Sequence, residues 1–319
     1  MNAVGRVPVE LDGATASTGF CVLRPRSKVA DGAYLLHWVR SPGFVGEMVR
    51  RAKGASYPAV SDRIVRESKI PLPSLDEQKR IAGILDAADA LRAKRREALD
   101  QLDTLLQSTF LDMFGDPVTN PMSWPEVALG AHTSKIGSGA TPLGGEAAYK
   151  KDGIALIRSK NVHDGHFSQH GLAFIDDQQA ARLDGVVVEL DDVLLNITGA
   201  SVARVCRAPH CVLPARVNQH VAIIRSTNGF DQRFLEQCLL FPSMKRWLLR
   251  IAGAGATREA ITKDAIKRLM VIQPPRNEQD RIAAIVQSVE RQKAHQRAHL
   301  AELDTLFASL QSRAFRGDL

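Results

Sequence analysis

The residues best equipped for chemistry gather in the second half of the chain. Arg158-Ser159-Lys160-Asn161 follows an apolar, strand-like run. Lys135, Ser138, Thr141, Thr198, Ser201, Arg204, Asn218 and Gln219 lie in polar or glycine-bearing stretches on either side of it. Lysine and arginine neutralise phosphates, and binding built on them is salt-dependent. Arginine, lysine, asparagine, glutamine, serine and threonine on loops also read base edges. Arg158, Lys160 and Asn161 with these eight are therefore the candidate DNA contacts, each weighed against an ordinary solvated role.

Other chemistries are poorly supported. His163, His166 and His170 lie close together beside Asp164, but no second ligand pair accompanies them, so a polar loop is expected and no metal. Gly137 to Gly145 is glycine-rich yet lacks the Gly-Lys-Ser/Thr of a nucleotide-binding loop. Asn120-Pro121-Met122-Ser123-Trp124 is not the Asn/Asp-Pro-Pro-Tyr/Phe of an adenine methyltransferase. Glu67-Ser68-Lys69 has the Glu-x-Lys spacing of a nuclease metal site, and chance explains it better. No catalytic residue is expected. Cys21, Cys206, Cys211 and Cys238 form no CxxC pair, which reads as a reduced cytoplasmic protein, and Cys206 and Cys211 read as buried or free thiols. A net charge of +7 over 319 residues favours an acidic partner, and 5% aromatic residues argue against stacking on single strands. No apolar run reaches the ~18–20 residues that cross a bilayer, and Met1 to Arg6 does not open a signal peptide. No membrane role is expected.

The elements that must position these residues announce themselves by repetition. Residues 54–114 align with 255–315 at a constant offset of 201, with 19 identities over 61 positions. Each copy reads as a long helix, about 76–114 and about 277–315. Pro71 and Pro73 precede one and Pro274-Pro275 the other; Asp76 and Glu77 favour the first turn, and Gly115 ends it. Apolar residues recur at helical spacing. Ile81, Ile84, Leu102 and Leu105 are expected to pair with Ile282, Ile285, Leu303 and Leu306 as the seam of an antiparallel coiled coil. The polar middles, Arg92 to Glu97 and Arg291 to His299, read as solvated or partner-facing.

Residues 117–254 read as a mixed domain. Strands are expected at 153–158, 186–190, 192–197 and 219–224, and one helix at 231–251. The fold class is α+β: globular domains joined by two long helices. Arg204, Arg207, Arg216, Arg225, Arg233, Lys245, Arg246 and Arg250 face only Asp231 and Glu236 in sequence, which predicts a basic surface. Similarity continues upstream, with Phe20 to Arg24 aligning on Val221 to Arg225. The chain is about 83 residues short of two full periods. The expected organisation is the tail of a truncated first domain at 1–54, a repeat with its helix at 55–116, a complete domain at 117–254, and a second repeat at 255–319.

A Pro-x-Pro element, then Glu-Gln-x-Arg-Ile, then a long helix with Leu-Asp-x-Leu, resembles the specificity subunit of type I restriction–modification systems. Ile70 to Ile81 and Trp124 to Gly130 resemble that family's repeat and domain opening. Gly139-Ala140-Thr141-Pro142, Asn196-Ile197-Thr198-Gly199 and Asn218-Gln219-His220 resemble its recognition-domain motifs. The resemblance implies a non-catalytic subunit whose recognition domains each read half of a two-part double-stranded DNA target. The paired helices would set the spacing of the halves. It also implies two methyltransferase subunits using S-adenosylmethionine, with no cofactor on this chain, and an ATP-driven restriction subunit. The alternative is a half-site DNA-binding protein that works only as a dimer or is inactive.

Overall fold

The computed structural model describes residues 4–54, 58–227, 229–253 and 260–319. In chain order its main elements begin with α1 (Gly32–Val39), α2 (Pro42–Arg51), α3 (Asp62–Glu67) and α4 (Leu75–Phe114). The strands β1 (Glu126–Ala128), β2 (Thr133–Ser138), β3 (Ile154–Ile157), β4 (Val162–His163), β5 (His166–Phe167) and β6 (Ala173–Ile175) follow. After α5 (Asp177–Ala181) come β7 (Val187–Val188), β8 (Val193–Asn196), β9 (Val205–Arg207), β10 (Ala215–Val217) and β11 (Val221–Ser226). The chain continues through α6 (Gln232–Leu240), α7 (Pro242–Gly253), α8 (Lys263–Lys267), β12 (Met270–Ile272) and α9 (Arg276–Arg316). Two structural units result, residues 1–101 with 293–319 and residues 102–292. Helices α4 and α9 each contribute to both.

The second unit holds the sheets. One has strand order β2-β11-β8-β9 and is antiparallel throughout. The other, β6-β3-β10-β7, contains a parallel β3/β10 pair. Alternation along β8 and β11 sends side chains both ways. Val193, Leu195, Ala222 and Ile224 join the helix-side core with Phe234, Leu235, Leu248 and Ile282. Leu194, Val221 and Ile223 join the core of the second sheet with Leu156, Ile157, Ile175 and Val217. Burial on both faces explains why these strands read as unbroken apolar runs. The helix expected over 231–251 is two: α6 stops at Phe241, where ψ is 137°, and Pro242 opens α7 because it has no N–H for an interior turn. The border expected at Ala254, and the repeat start at Gly255, lie outside the described residues. Beyond them, β12 pairs antiparallel with β1, Glu126 opposite Ile272, so residues up to Ile272 belong to the same body.

In the first unit, α1 packs on the start of α4 and the end of α9: Tyr34, Ile81, Leu85 and Ala314 are its buried core, with Phe307, Leu310 and Phe315 against them. Arg92 Nε meets Asp304 Oδ1 at 2.6 Å, Arg95 Nη1 meets Gln296 Oε1 at 3.0 Å, and Arg80 Nη2 meets the Leu319 carbonyl at 2.7 Å. Ascending numbers on α4 meet descending numbers on α9, so the helices run antiparallel. Arg92 and Arg95 thus bond across the helix pair, where a solvated or partner-facing helix face is expected, and the Arg92 guanidinium also lies 4.4 Å over the Phe307 ring. In the second unit Leu106, Phe110 and Phe114 share a core with Ile282, Val286 and Val289. Among the expected seam residues, Ile81 and Ile282 are buried and Ile84, Leu102, Ile285 and Leu303 are half-buried. Leu105 and Leu306 are corrected: they stay 48% and 49% exposed. Leu106 and Phe307, one residue on, hold the inward positions, because a step of one residue turns about 100° around a helix of 3.6 residues per turn.

The repeat is structural, and one pair of residues shows how. The Gln78 side chain is buried at the start of α4. Its Oε1 accepts from the Asp31 amide at 2.8 Å, and its Nε2 donates to Val29 O at 3.1 Å and Pro73 O at 2.8 Å. Gln279, equally buried at the start of α9, accepts from the Asp231 amide at 2.9 Å and donates to Gly229 O at 3.2 Å and Pro274 O at 2.8 Å. Asp31 and Asp231 each cap the following helix. Leucine at either glutamine strands a buried amide and two carbonyls. Gln78→Leu and Gln279→Leu should each cost about 1–3 kcal/mol, the first in the first unit and the second in the other, read as a fall in the urea midpoint.

The upstream similarity does not carry into structure. Residues 20–24 are exposed and form no strand, whereas β11, on which they align, is sandwiched between β2 and β8. A strand needs neighbours to satisfy its backbone groups, and no described residue of the first unit supplies them. Farther along, the two units do share a helix pair: α1 and Pro42-opened α2 in one, α6 and Pro242-opened α7 in the other.

Candidate nucleic-acid interface

Four of the candidate contacts, Lys160, Thr198, Ser201 and Arg204, line one concavity of about 810 Å3 on the second unit, with Ser159 and His220. Two loops form its walls, the turn after β3 and the turn after β8. Asn196, fully buried at the end of β8, joins them: its Nδ2 donates to Ser159 O at 2.9 Å and to Ser201 Oγ at 3.1 Å. Asn196→Ala should cost about 1–3 kcal/mol and loosen both walls. Asn196→Asp should cost more, because a carboxylate oxygen would face the Ser159 carbonyl. Thermal melting checks both, alongside a titration with duplex DNA.

The remaining candidates are placed otherwise. Asn161 is fully buried; its Oδ1 accepts from the Arg158 amide at 3.0 Å and its Nδ2 donates to Ser168 O at 2.9 Å, so it shapes its turn and offers nothing outward. Arg158 is held by Gly171 O at 2.7 Å and Glu146 Oε1 at 3.2 Å, and its guanidinium lies 4.8 Å over the Tyr149 ring. The Lys135 ammonium donates to Gly185 O. Asn218 is buried and turns its Oδ1 onto the His220 amide at 3.0 Å. Gln219 is half-buried beside His220, with 3.0 Å between its Nε2 and the ring Nε2. Ser138 and Thr141 are exposed on the edge of the domain near Gly139. Glycine is required at 139, where a Cβ would stand 1.8 Å from the Val217 carbonyl oxygen.

The expected basic surface is corrected in the same way. Arg207, Arg216, Arg225 and Lys245 are spent on carboxylates distant in sequence. Arg225 makes a two-pronged bond to Asp192, 2.8 Å on each side. The hydrogen bond to Asp192 leads the causes that raise the Arg225 pKa. Arg216 bonds Asp184 at 2.9 Å and Lys245 bonds Asp164. Arg207 is enclosed by Glu236, Asp191 and Glu290. Burial alone would lower its pKa, but the two glutamates outweigh it and keep the guanidinium charged. Burial pushes the Glu236 carboxyl up, and Arg207 opposes that shift.

The His163 and His166 rings stack at 4.8 Å, and His163 Nε2 lies 3.1 Å from the Lys160 carbonyl. Among the described residues no group of three His, Cys, Asp or Glu has metal-holding geometry. Glu67 pairs with Arg63 at 2.7 Å and Arg51 at 3.0 Å on an exposed helix, and these bonds, Arg63 first, hold its carboxyl below the ordinary value. Cys206 and Cys238 are buried and Cys21 and Cys211 exposed, all as free thiols. Burial pushes both inner thiols far up. Among the described residues no helix is long and apolar enough to cross a membrane. Sequence reasoning missed His220 and Asn196 as site residues, although both stand in motifs quoted above.

The second unit is thus a two-sheet domain with a concavity lined by Lys160 and Arg204. Residues 3–101 and 139–305 match the family model described as the type I restriction modification DNA specificity domain, and the chain belongs to that family. Among individual relatives, it is 25% identical over 314 residues to the type I restriction enzyme EcoBI specificity subunit of Escherichia coli, covering 87% of this chain and 64% of that one. It is 24% identical over 286 residues to the type I restriction enzyme MjaX specificity subunit of Methanocaldococcus jannaschii, described as putative there, covering 84% and 64%. The chain thus spans just under two thirds of the length of these curated relatives. A chain from a solved type I R-M system assembly is 27% identical, with a TM-score of 0.55 over 98% of this chain and 78% of that one. The S subunit from M. genitalium, 15% identical over 91% and 74%, has a TM-score of 0.54 and shares the fold.

Proposed function

We propose that the chain is the DNA-recognition subunit of a type I restriction–modification complex, working in the cytoplasm on double-stranded DNA. It carries out no chemistry. It reads a two-part target and holds two adenine methyltransferase subunits, which bring the S-adenosylmethionine, and an ATP-driven restriction subunit joins the same assembly. The observation that carries the reading is the buried glutamine junction, built twice with the same partners at the start of each long helix. A repeated scaffold supports a repeated partner. The exposed Leu105 and Leu306 occupy equivalent positions of the repeat and offer two like apolar contacts to two copies of one subunit.

Co-purification with a methyltransferase subunit, followed by mapping of methylated adenines, tests the reading. The pair should methylate two adenines at a fixed separation, and this chain alone none. Methylation by the chain alone would sink the proposal. A second reading, in which the chain reads one half-site, is favoured by the exposed, strandless stretch at residues 20–24. A single unbroken methylated block would establish it.

A further inference from the structure

We propose that the concavity between the Ser159 and Ser201 turns seats one backbone phosphate of duplex DNA, whatever the base sequence. The inference rests on the DNA-reading role proposed above and names what this part of the surface does within it. Charge points first to an anion. Lys160 and Arg204 both line the concavity, and among the described residues neither makes an ion pair. Arg207, Arg216 and Arg225 of the same domain are all neutralised. Cations left unpaired in a concave site focus field on a polyanion.

Hydrogen-bond polarity points the same way. The Gln219 amide, assigned with its nitrogen toward the ring, can only donate to His220 Nε2. The ring hydrogen is then on Nδ1, which donates to Thr198 Oγ1. The Thr198 hydroxyl, which lines the concavity with Ser201, then keeps its own hydrogen to donate. Donors and cations suit phosphate oxygens. Among the described lining residues the one flat ring is His220, whose ring nitrogens meet Thr198 and Gln219, and the carbon-only side chains are Ala200 and Ala260; an extruded base is instead stacked between two aromatic or apolar walls.

The test uses the chain with its methyltransferase partner, titrated at several salt concentrations with a target duplex and an unrelated duplex. Arg204→Gln should weaken both by the same factor, about tenfold, and reduce the salt slope by about 1. Arg204→Lys should restore most of the loss. A neutral methylphosphonate at one position of the duplex should weaken the wild type equally and add nothing to Arg204→Gln. Unchanged melting temperature shows that the variant is folded. Loss of target preference with unrelated DNA unaffected would make Arg204 a base reader and overturn this inference alone, as would no change on either duplex. A wild-type complex that binds no duplex overturns the DNA-reading role and this inference with it.

Discussion

Arg207→Met should cost the second unit about 3–5 kcal/mol, the loss that follows when one partner of a buried ion pair is removed. The Arg207 Nε meets Glu236 Oε2 at 2.8 Å, and its backbone amide meets Oε1 at 3.0 Å. Glu236 is only 3% exposed, so without the guanidinium its charge is left in the core. Methionine fills the volume and supplies no charge. The double variant Arg207→Met with Glu236→Leu should recover most of the loss, because Glu236 is the buried partner, whereas Asp191 and Glu290 are partly exposed and can be solvated. The loss should also depend on pH with a definite sign. Burial already raises the Glu236 pKa, and Arg207 is the leading cause that lowers it, so the substitution raises the folded value further. A raised carboxyl destabilises the fold only once it ionises. The deficit should be small below the ordinary glutamate range and grow toward neutral pH. Urea unfolding at pH 5 and pH 8 measures it, and a deficit larger at pH 5 would reject the account.

Phe114→Ala should cost the same unit about 3–5 kcal/mol through the cavity it opens. Phe114 is fully buried at the last turn of α4, 5.1 Å edge-on from Phe234, 5.0 Å from Phe110 and 6.3 Å from Trp124. Trp124 also donates its indole N–H to the Phe114 carbonyl at 3.1 Å, so the ring sits under a fixed lid. The repeat supplies an internal control. Phe315, its equivalent on α9, lies 5.4 Å edge-on from Tyr34 but is only half-buried. Phe315→Ala should cost less and act on the other unit. Chemical denaturation of both variants compares them, and equal losses would contradict the burial difference.

Much of this architecture was legible because it rests on local periodicity. The long helices declare themselves through prolines before them and, for α4, Gly115 after, and their structural limits differ from expectation by one residue at the start of α4 and at each end of α9. The strands β3, β8 and β11 read as apolar runs because both faces are covered. What escaped depends on partners far along the chain. Nothing near Arg225 says that Asp192 will neutralise it, so charge counting turned buried ion pairs into a basic surface. Asn161 and Asn196 have the same chemistry in sequence, yet both point inward, one shaping its own turn and the other joining two loops. The motif containing Gln78 and Gln279 was visible twice. Its purpose was not, since a glutamine facing backbone groups leaves no compositional trace.

The first unit is discontinuous along the chain. That unit combines residues 1–101 with 293–319, while the second is continuous from 102 to 292. A ribosome therefore delivers every residue of the second unit before the segment carrying Phe307, Ala314 and Phe315 emerges. Domains generally fold as units during synthesis. In the interval Tyr34, Ile81 and Leu85 lack their partners, and the first half of α4 waits as an amphipathic helix without its mate. The order of assembly runs opposite to the order of translation: the unit begun first is completed last.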